Sequence, residues 1–195
     1  MSRTTHIERN TNETKIKLTL NLDGTGRSSI QTGVGFLDHM LELLAKHGFF
    51  DLEVTVEGDL HIDAHHTVED VGICLGLAFQ QAAGDKSGIR RFGSFNVPMY
   101  ESLAQVDLDF CGRSYLHYKT PLIGGKVGTF DVELAEEFFH GFANSSGTTL
   151  HINVPYGRNQ HHIIEGIFKA VAKGLDLATS IDHRLSGVLS TKGSL

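Results

Sequence analysis

The two halves of the chain resemble each other, because residues 13–84 can be laid over residues 101–178 with short motifs in the same order. The segment "LNLDGTGRS" (Leu20–Ser28) aligns with "VDLDFCGRS" (Val106–Ser114). A period this long, present in only two copies, argues against a solenoid. The self-similarity instead predicts a duplicated domain with pseudo-twofold symmetry.

Each half also has the same order of predicted elements: several strands, a helix, a further strand and a second helix. The further strand contains "LHID" (Leu60–Asp63) in the first half and "LHIN" (Leu150–Asn153) in the second, where "VPYGRN" is predicted to be an inserted loop. The apolar spacing of "VGICLGLAFQQAA" and "IIEGIFKAVAKGLDLA" is typical of helices with one buried face.

We therefore predict an α+β fold built from a duplicated half-unit, in which a small mixed sheet carries two helices packed on one face. A single domain covers residues 1–195, with halves at approximately 6–92 and 93–186 and a C-terminal tail at 187–195.

A His-His-x-x-Glu motif occurs once in each half, in "DAHHTVED" (Asp63–Asp70) and "NQHHIIEG" (Asn159–Gly166). Asp63 and Asn159 each stand two residues before the first histidine, a position typical of a helix N-cap. Both motifs are therefore predicted to begin a helix.

The spacing of each motif fits metal binding. Residues four apart share one face of a helix, so His65 can meet the same ion as Glu69, and His161 the same ion as Glu165. Adjacent histidines lie about 100° apart around the axis and cannot easily chelate one metal. The simplest arrangement holds two metals, and each motif gives a His and the Glu to one metal and its other His to the second.

The first helix of each half adds further candidate ligands. His39 lies in "FLDHM", and its counterpart in the second half is either Glu137 or His140. Imidazole and carboxylate donors without thiolate fit Mn, Fe, Co, Ni or Zn. A capped helix start without metal is the alternative interpretation of a single motif, and the second copy favours metal.

The composition excludes several classes of partner. The net charge of −6 and the absence of a basic run argue against nucleic-acid binding. The N-terminus lacks the apolar core of a secretory signal, and no run approaches membrane-spanning length. Cys74 and Cys111 are far apart and suit a reducing cytosol. We expect a cytoplasmic protein with no nucleic-acid or membrane partner.

A local site for a small anion remains compatible with this charge. A glycine-flanked Ser-Thr-Lys near the C-terminus suits hydroxyl and ammonium contacts to phosphate, although ordinary solvated charge is the alternative. The candidates are Arg91, Arg113, Lys169, Ser190, Thr191 and Lys192.

Five ordered motifs, "FLDHML", "GDLHIDAHHTVED", "GIRRFG", "NQHHIIEGIFKA" and "STKG", closely resemble those of the imidazoleglycerol-phosphate dehydratase family, over roughly residues 6–195. The resemblance implies the monofunctional form, a fold of the ribosomal protein S5 domain 2-like type, and two Mn²⁺ per active site. It also implies a homo-oligomer of 24 subunits with active sites between protomers.

The same resemblance implies roles for individual residues. The metal ligands would be His39, His65, His66, Glu69, Glu137, His161, His162 and Glu165, with His140 as the alternative to Glu137. The contacts to the phosphorylated imidazole substrate would be Glu13, His47, Arg91, Arg113, Lys169, Ser190, Thr191 and Lys192.

The implied reaction dehydrates D-erythro-imidazoleglycerol phosphate to imidazole acetol phosphate in histidine biosynthesis. It would pass through a dimetal-bound imidazolate and a diazafulvene-like intermediate, with the metals acting as Lewis acids. Glu13, Glu69 or Glu165 would move the protons.

Two other functions use the same histidines. A two-metal hydrolase would release inorganic phosphate from a phosphate ester. A metal-storage or metal-sensing protein would have no turnover and no use for the cationic residues.

Overall fold

A computed structural model describes residues 3–122 and 124–195 of the chain. The first half contains β1 (Thr4–Asn10), β2 (Thr14–Asn21), β3 (Ser28–Gln31), α1 (Gly35–Gly48), β4 (Asp51–Gly58) and α2 (His65–Ala83). The second half contains β5 (Phe92–Met99), β6 (Ser102–Asp109), β7 (Tyr115–Lys119), β8 (Lys126–Val127), β9 (Phe130–Asp131), α3 (Leu134–Ser146), β10 (Thr149–Tyr156) and α4 (Gln160–Thr179).

The two halves build equivalent four-stranded sheets. Their strand orders are β1-β2-β4-β3 and β5-β6-β10-β7, and in each sheet the last pair is parallel whereas the others are antiparallel. Burial alternates residue by residue along β2 and β6, as expected when one face of a sheet lies against a core. The predicted α+β fold with a duplicated half-unit is confirmed, and the β8–β9 hairpin is an addition to the second half.

The helices of the two halves pack against each other. Helix α1 contacts α4, and α2 contacts α3, while α2 lies on β1 and β2 and α4 lies on β5 and β6. One continuous apolar core joins these layers. Each helix pair therefore combines one helix from each half, which brings residues of both halves together at the helix interfaces. No helix within residues 3–122 and 124–195 is both long and apolar enough to cross a membrane.

The predicted match between "LHID" and "LHIN" is wrong. Strand β4 ends at Gly58, and the "LHID" segment forms a turn in which Leu60 and Ile62 are exposed. The strand register gives the true equivalence, because Leu52 pairs with Leu20 just as Leu150 pairs with Leu108. "LHIN" therefore corresponds to residues 52–55 of β4, and the three shared letters are coincidental.

The predicted loop "VPYGRN" is also wrong over its first three residues, which complete β10. Pro155 is accommodated there because the register of β10 against β6 shifts between Asn153 and Tyr156, and such irregularities tolerate a residue without an N–H donor. The connection from the strand to the histidines is consequently shorter in the second half than in the first.

The alignment of the two Gly-Arg-Ser turns is two residues out. Ser28 lies opposite Leu52 in the first sheet, whereas Leu116, not Ser114, lies opposite Leu150 in the second. A turn sequence can recur at a shifted position, because only strand pairing fixes the register.

Candidate functional site

Both His-His-x-x-Glu motifs lie at the start of a helix, as predicted. Asn159 is the N-cap of α4, and its Oδ1 accepts hydrogen bonds from the backbone N–H groups of His161 (2.9 Å) and His162 (3.3 Å). In the first half Ala64 occupies the N-cap position, and Asp63 accepts a 2.8 Å hydrogen bond from the His65 N–H. The predicted N-cap is thus confirmed for Asn159 and wrong for Asp63, which precedes the N-cap residue but still accepts a hydrogen bond from the first turn of the helix.

The packing of α1 on α4 assembles a candidate metal centre, the α1–α4 cluster, from His39, His161 and Glu165. One ligand atom from each residue lies within 4.8 Å of the others. His161 Nε2 is 3.0 Å and His39 Nε2 is 3.8 Å from Glu165 Oε2. The cluster draws one ligand from the first half and two from the second, and it confirms that the i, i+4 pair faces one point.

Glu165 connects this cluster to a cation. Its Oε1 accepts a 2.6 Å hydrogen bond from Lys169 Nζ, and the carboxylate is buried. Burial alone would raise the pKa of Glu165, but the hydrogen bond and charge of Lys169, helped by His161, hold that pKa below its usual range. Glu165 is therefore a carboxylate anion, as a metal ligand must be.

His47 lies on α1 about two helical turns after His39. Burial lowers the pKa of His47, and the charges of Lys169 and Lys173 lower it further. The imidazole is thus held neutral, with a lone pair available on one ring nitrogen.

The motif of the first half points its two histidines in different directions. His65 Nε2 is 3.9 Å from Glu69 Oε2, the same i, i+4 relation as in the second half. His66 Nδ1 lies 2.9 Å from Asp59 Oδ2, and its Nε2 lies 3.8 Å from Glu13 Oε1. The hydrogen bond with Asp59 raises the pKa of His66.

His162 has a corresponding carboxylate neighbour. Its Nδ1 is 2.7 Å from Glu101 Oε2, and Glu101 Oε1 accepts from the backbone N–H groups of Asn159 (2.8 Å) and Arg158 (3.3 Å). The hydrogen bond from Asn159, followed by that with His162, lowers the pKa of Glu101 to about 2.

The predicted anion-binding residues fall into two groups. Most of them line an open cavity of about 850 Å³ between the β6–β7 turn and the C-terminal tail. Those lining the cavity are Arg91, Arg113, Ser190, Thr191 and Lys192. Lys169 belongs instead to the α1–α4 cluster through its bond with Glu165.

The two arginines that line the cavity differ in their hydrogen bonding and in their exposure. Arg91 donates to both oxygens of Asp109 (2.6 and 2.9 Å) and to the Leu189 carbonyl (2.7 Å), so it holds the tail against the sheet. Arg113 is three-quarters exposed and lies 3.9 Å from Asp109. Of the two guanidinium groups that line the cavity, that of Arg113 is therefore the less firmly held.

The structural counterpart of His39 is Glu137 rather than His140. Helices α1 and α3 both end at a left-handed residue, Phe49 and Gly147, and counting back from these caps pairs His39 with Glu137. His140 Nδ1 lies 3.3 Å from the Asn144 side chain. Among the described residues, the α1–α4 cluster is the one group of three such donors within 4.8 Å, and it contains neither residue.

Sequence reasoning missed Asp59 and Glu101. Glu101 could have been found, because it directly precedes β6 as Glu13 directly precedes β2, and the alignment of the two halves starts at this pair. Asp59 carries no such signal, because its contact with His66 depends on the conformation of the β4–α2 connection.

Comparisons with known sequences all match the same family of proteins. A family model described as imidazoleglycerol-phosphate dehydratase matches residues 32–175. The chain is 60% identical to the imidazoleglycerol-phosphate dehydratase of Pelobacter propionicus and 56% identical to that of Geobacter sulfurreducens, in both cases over 195 residues and 100% of both proteins.

Two solved structures have a similar fold. The imidazoleglycerol-phosphate dehydratase of Staphylococcus aureus superposes with a TM-score of 0.84 at 38% identity, covering 92% of this chain and 99% of that one. The imidazoleglycerol-phosphate dehydratase (IGPD) of Pyrococcus furiosus, crystallised in complex with (S)-C348, superposes with a TM-score of 0.83 at 34% identity. The match covers 97% of this chain and 100% of that one. The similarity includes both halves of the duplicated fold.

Proposed function

The chain belongs to the imidazoleglycerol-phosphate dehydratase family, whose members are dehydratases of histidine biosynthesis, and from this membership we propose that it converts D-erythro-imidazoleglycerol phosphate to imidazole acetol phosphate. The observation that carries the proposal is the α1–α4 cluster beside Lys169, because it combines metal-type donors with a cation.

The donors of the cluster fit Mn²⁺. Imidazole nitrogens and carboxylate oxygens without thiolate suit a divalent ion of this kind, and Glu165 is ionised as binding requires. We propose that two Mn²⁺ bind per active site and act as Lewis acids that favour the deprotonated imidazole ring of the substrate. The residues that would hold them are His39, His65, His66, Glu69, Glu137, His161, His162 and Glu165.

Proton transfer is assigned to Glu13. Glu165 is a weak base because Lys169 holds its negative charge, whereas the side chain of Glu13 is half exposed and its one ion-pair neighbour within residues 3–122 and 124–195 is the His66 ring, 3.8 Å away. The deprotonated ring would expel the neighbouring hydroxyl, which leaves as water together with the proton that the ring gave up, and a diazafulvene-like intermediate would result. Glu13 then takes a proton from the side chain, and the resulting enol becomes the ketone.

The cavity at the C-terminal tail is proposed to hold the substrate phosphate. Arg113, Ser190 and Lys192 offer a guanidinium, a hydroxyl and an ammonium group there, and such charge-assisted hydrogen bonds are the strong ones for phosphate. Arg91 contributes by fixing the Leu189 carbonyl, and hence the tail, in place.

We propose that the complete site forms between subunits of a cytoplasmic homo-oligomer of 24 chains. The α1–α4 cluster supports this, because it supplies three donors, fewer than an octahedral ion takes. The histidines at positions 66 and 162 are not members of this cluster; each contacts another carboxylate through Nδ1 and is partly exposed, so each is proposed to bind metal together with a second chain.

One assay separates this function from its two rivals. The Mn²⁺-loaded protein is incubated with imidazoleglycerol phosphate, and both ketone and inorganic phosphate are measured. A dehydratase gives ketone without phosphate release. Phosphate without ketone would identify a two-metal hydrolase, and bound metal with neither product would identify a storage protein; either result would overturn the proposal.

A further inference from the structure

We propose that Glu101 and Asp59 are positioning residues that hold His162 and His66 through Nδ1, so that Nε2 of each ring is presented to a ligand. The inference rests on the proposed function, because it takes these Nε2 atoms to face the metals. Neither carboxylate belongs to the metal or substrate residues named above.

Glu101 is built into the start of α4. Its Oε1 is fixed by the backbone N–H of Asn159, the residue that caps the helix carrying His162. Its Oε2 lies 2.7 Å from His162 Nδ1, and only 18% of the carboxylate side chain is exposed. The same carboxylate therefore fixes both the helix start and the ring, which leaves the His162 side chain little freedom to rotate.

Asp59 holds His66 at an energetic cost. Its Oδ2 lies 2.9 Å from His66 Nδ1, and only 12% of the side chain is exposed. Its other oxygen, Oδ1, is buried without a hydrogen-bond partner among the described residues. An unsatisfied buried carboxylate oxygen destabilises a fold, so a purely structural role at this position is hard to explain.

The two carboxylates come from positions that are not equivalent in the duplicated fold. Glu101 precedes β6, and the residue that precedes β2 is Glu13. Asp59 follows Gly58, whose counterpart in the strand register is Gly157, so the position of Asp59 is taken by Arg158 in the second half. Inheritance from a common half-unit therefore cannot explain why both second histidines have a carboxylate at Nδ1.

This difference also means that Glu13 is not needed to hold the His66 ring through Nδ1. Because Asp59 occupies the Nδ1 side of His66, Glu13 lies on the Nε2 side, where a ligand of that nitrogen would be found. In the second half Glu101, the counterpart of Glu13, is occupied on the Nδ1 side of His162. The two halves thus hold their rings alike, but Glu13 is left for proton transfer in the first half, whereas its counterpart Glu101 holds the His162 ring in the second.

A carboxylate at Nδ1 has a defined effect on a histidine ligand. It keeps the proton on Nδ1, so that Nε2 carries the lone pair, and it fixes the ring orientation. Removing such a partner weakens metal binding by about 10- to 100-fold.

The test compares Glu101→Gln and Asp59→Asn with the matched control Glu57→Gln. The amide at position 101 keeps an acceptor for the Asn159 N–H, so the helix start is retained while the charge at Nδ1 is lost. Glu57 is an exposed carboxylate paired with Lys15 on the sheet surface, and this ion pair includes no residue of either histidine motif. Free Mn²⁺ is measured by electron paramagnetic resonance during titration, and ring tautomers are measured in the metal-free protein by ¹⁵N-histidine NMR.

We expect Kd for Mn²⁺ to rise about 10- to 100-fold in each of the two variants and to stay unchanged in Glu57→Gln. We also expect wild-type His66 and His162 to carry their proton on Nδ1. Wild-type Kd in both variants, or protons on Nε2 alone in the wild type, would overturn the inference. If the wild type bound no Mn²⁺, the proposed function would fail, and the tautomers would still decide whether the carboxylates hold the rings.

Discussion

At the scale of single residues, Glu165 links the metal donors to the cations. One oxygen faces His161 and the other accepts from Lys169, and burial strengthens both interactions because water competes less. A change at any of these three residues therefore alters the electrostatic environment of the other two. Metal binding is accordingly tested at His161, the first histidine of the second motif.

Replacing His161 by Ala should remove most of the turnover while leaving a folded subunit. The side chain is 41% exposed near the start of α4, so its loss leaves no core cavity, but it deletes a donor of the α1–α4 cluster. The matched control is His151→Ala on the exposed face of β10, which should keep wild-type activity. The measurements are kcat and bound Mn²⁺ per chain. Near wild-type kcat with full metal content in His161→Ala would show that His161 is not a ligand.

Arg113→Ala should mainly raise KM. The guanidinium is proposed to contact the phosphate, remote from the reacting ring, in ground and transition states alike. Because Arg113 is three-quarters exposed, we expect a loss of about tenfold, corresponding to ~1.4 kcal/mol.

The control for Arg113 is a substrate analogue without the phosphate. It should bind weakly to the wild type, and Arg113→Ala should lose little further affinity for it. Equal weakening of both compounds would show that the arginine stabilises the β6–β7 turn instead of recognising phosphate.

The sequence was sufficient to find the histidine motifs and their i, i+4 geometry, because helix periodicity fixes which side chains share a face. It was not sufficient to find Asp59, or to show that Arg91 pairs with Asp109 and holds the tail. The Asp59–His66 contact depends on the conformation of the β4–α2 connection, and Arg91 meets Asp109 and Leu189 from other segments of the chain, so no local pattern encodes these contacts.

At the scale of elements, glycines allow the helices of the two halves to approach closely. A Cβ at Gly72 of α2 would lie 2.3 Å from the Phe138 carbonyl oxygen of α3, and one at Gly141 of α3 would lie 2.9 Å from the Glu69 carbonyl oxygen. The α2–α3 contact is thus backbone against backbone at the level of Glu69. Apolar spacing predicted that these helices had buried faces, but it could not show which helix covers which.

Gly72→Ala should therefore destabilise the fold. The added methyl group meets a backbone carbonyl that cannot rotate away, so the helices must separate, at a cost of about 1–3 kcal/mol. Gly35→Ala, at the open start of α1, is the matched control, because nothing lies within 4 Å of its added Cβ. The free energy of unfolding is measured by urea denaturation of the metal-free protein. Equal stability of the two variants would contradict the close packing of α2 on α3.

At the scale of the whole molecule, the duplication was readable in the sequence but its register was not. Similar letters at Gly-Arg-Ser and at "LHID" suggested equivalences that the strand pairing corrects, because hydrogen-bond register depends on partners distant in sequence. The helix ends pair His39 with Glu137, and the starts of β2 and β6 pair Glu13 with Glu101. Equivalent positions of the two halves therefore carry different side chains or have different contacts.

Removal of metal should also change the size of the assembly. If each site takes ligands from more than one chain, metal binding and subunit association are linked, and chelation should produce smaller oligomers that Mn²⁺ restores to the large particle. Light scattering before and after chelation measures this. An unchanged large particle after complete demetallation would contradict a metal-dependent interface.

The central claim, that this chain dehydrates imidazoleglycerol phosphate with the help of bound metal, is tested most directly by the rate of ketone formation during stepwise addition of Mn²⁺ to the metal-stripped protein. We predict no ketone without metal and a rate that rises until two Mn²⁺ per chain are bound. Full dehydratase turnover by protein shown to be free of metal would contradict the claim.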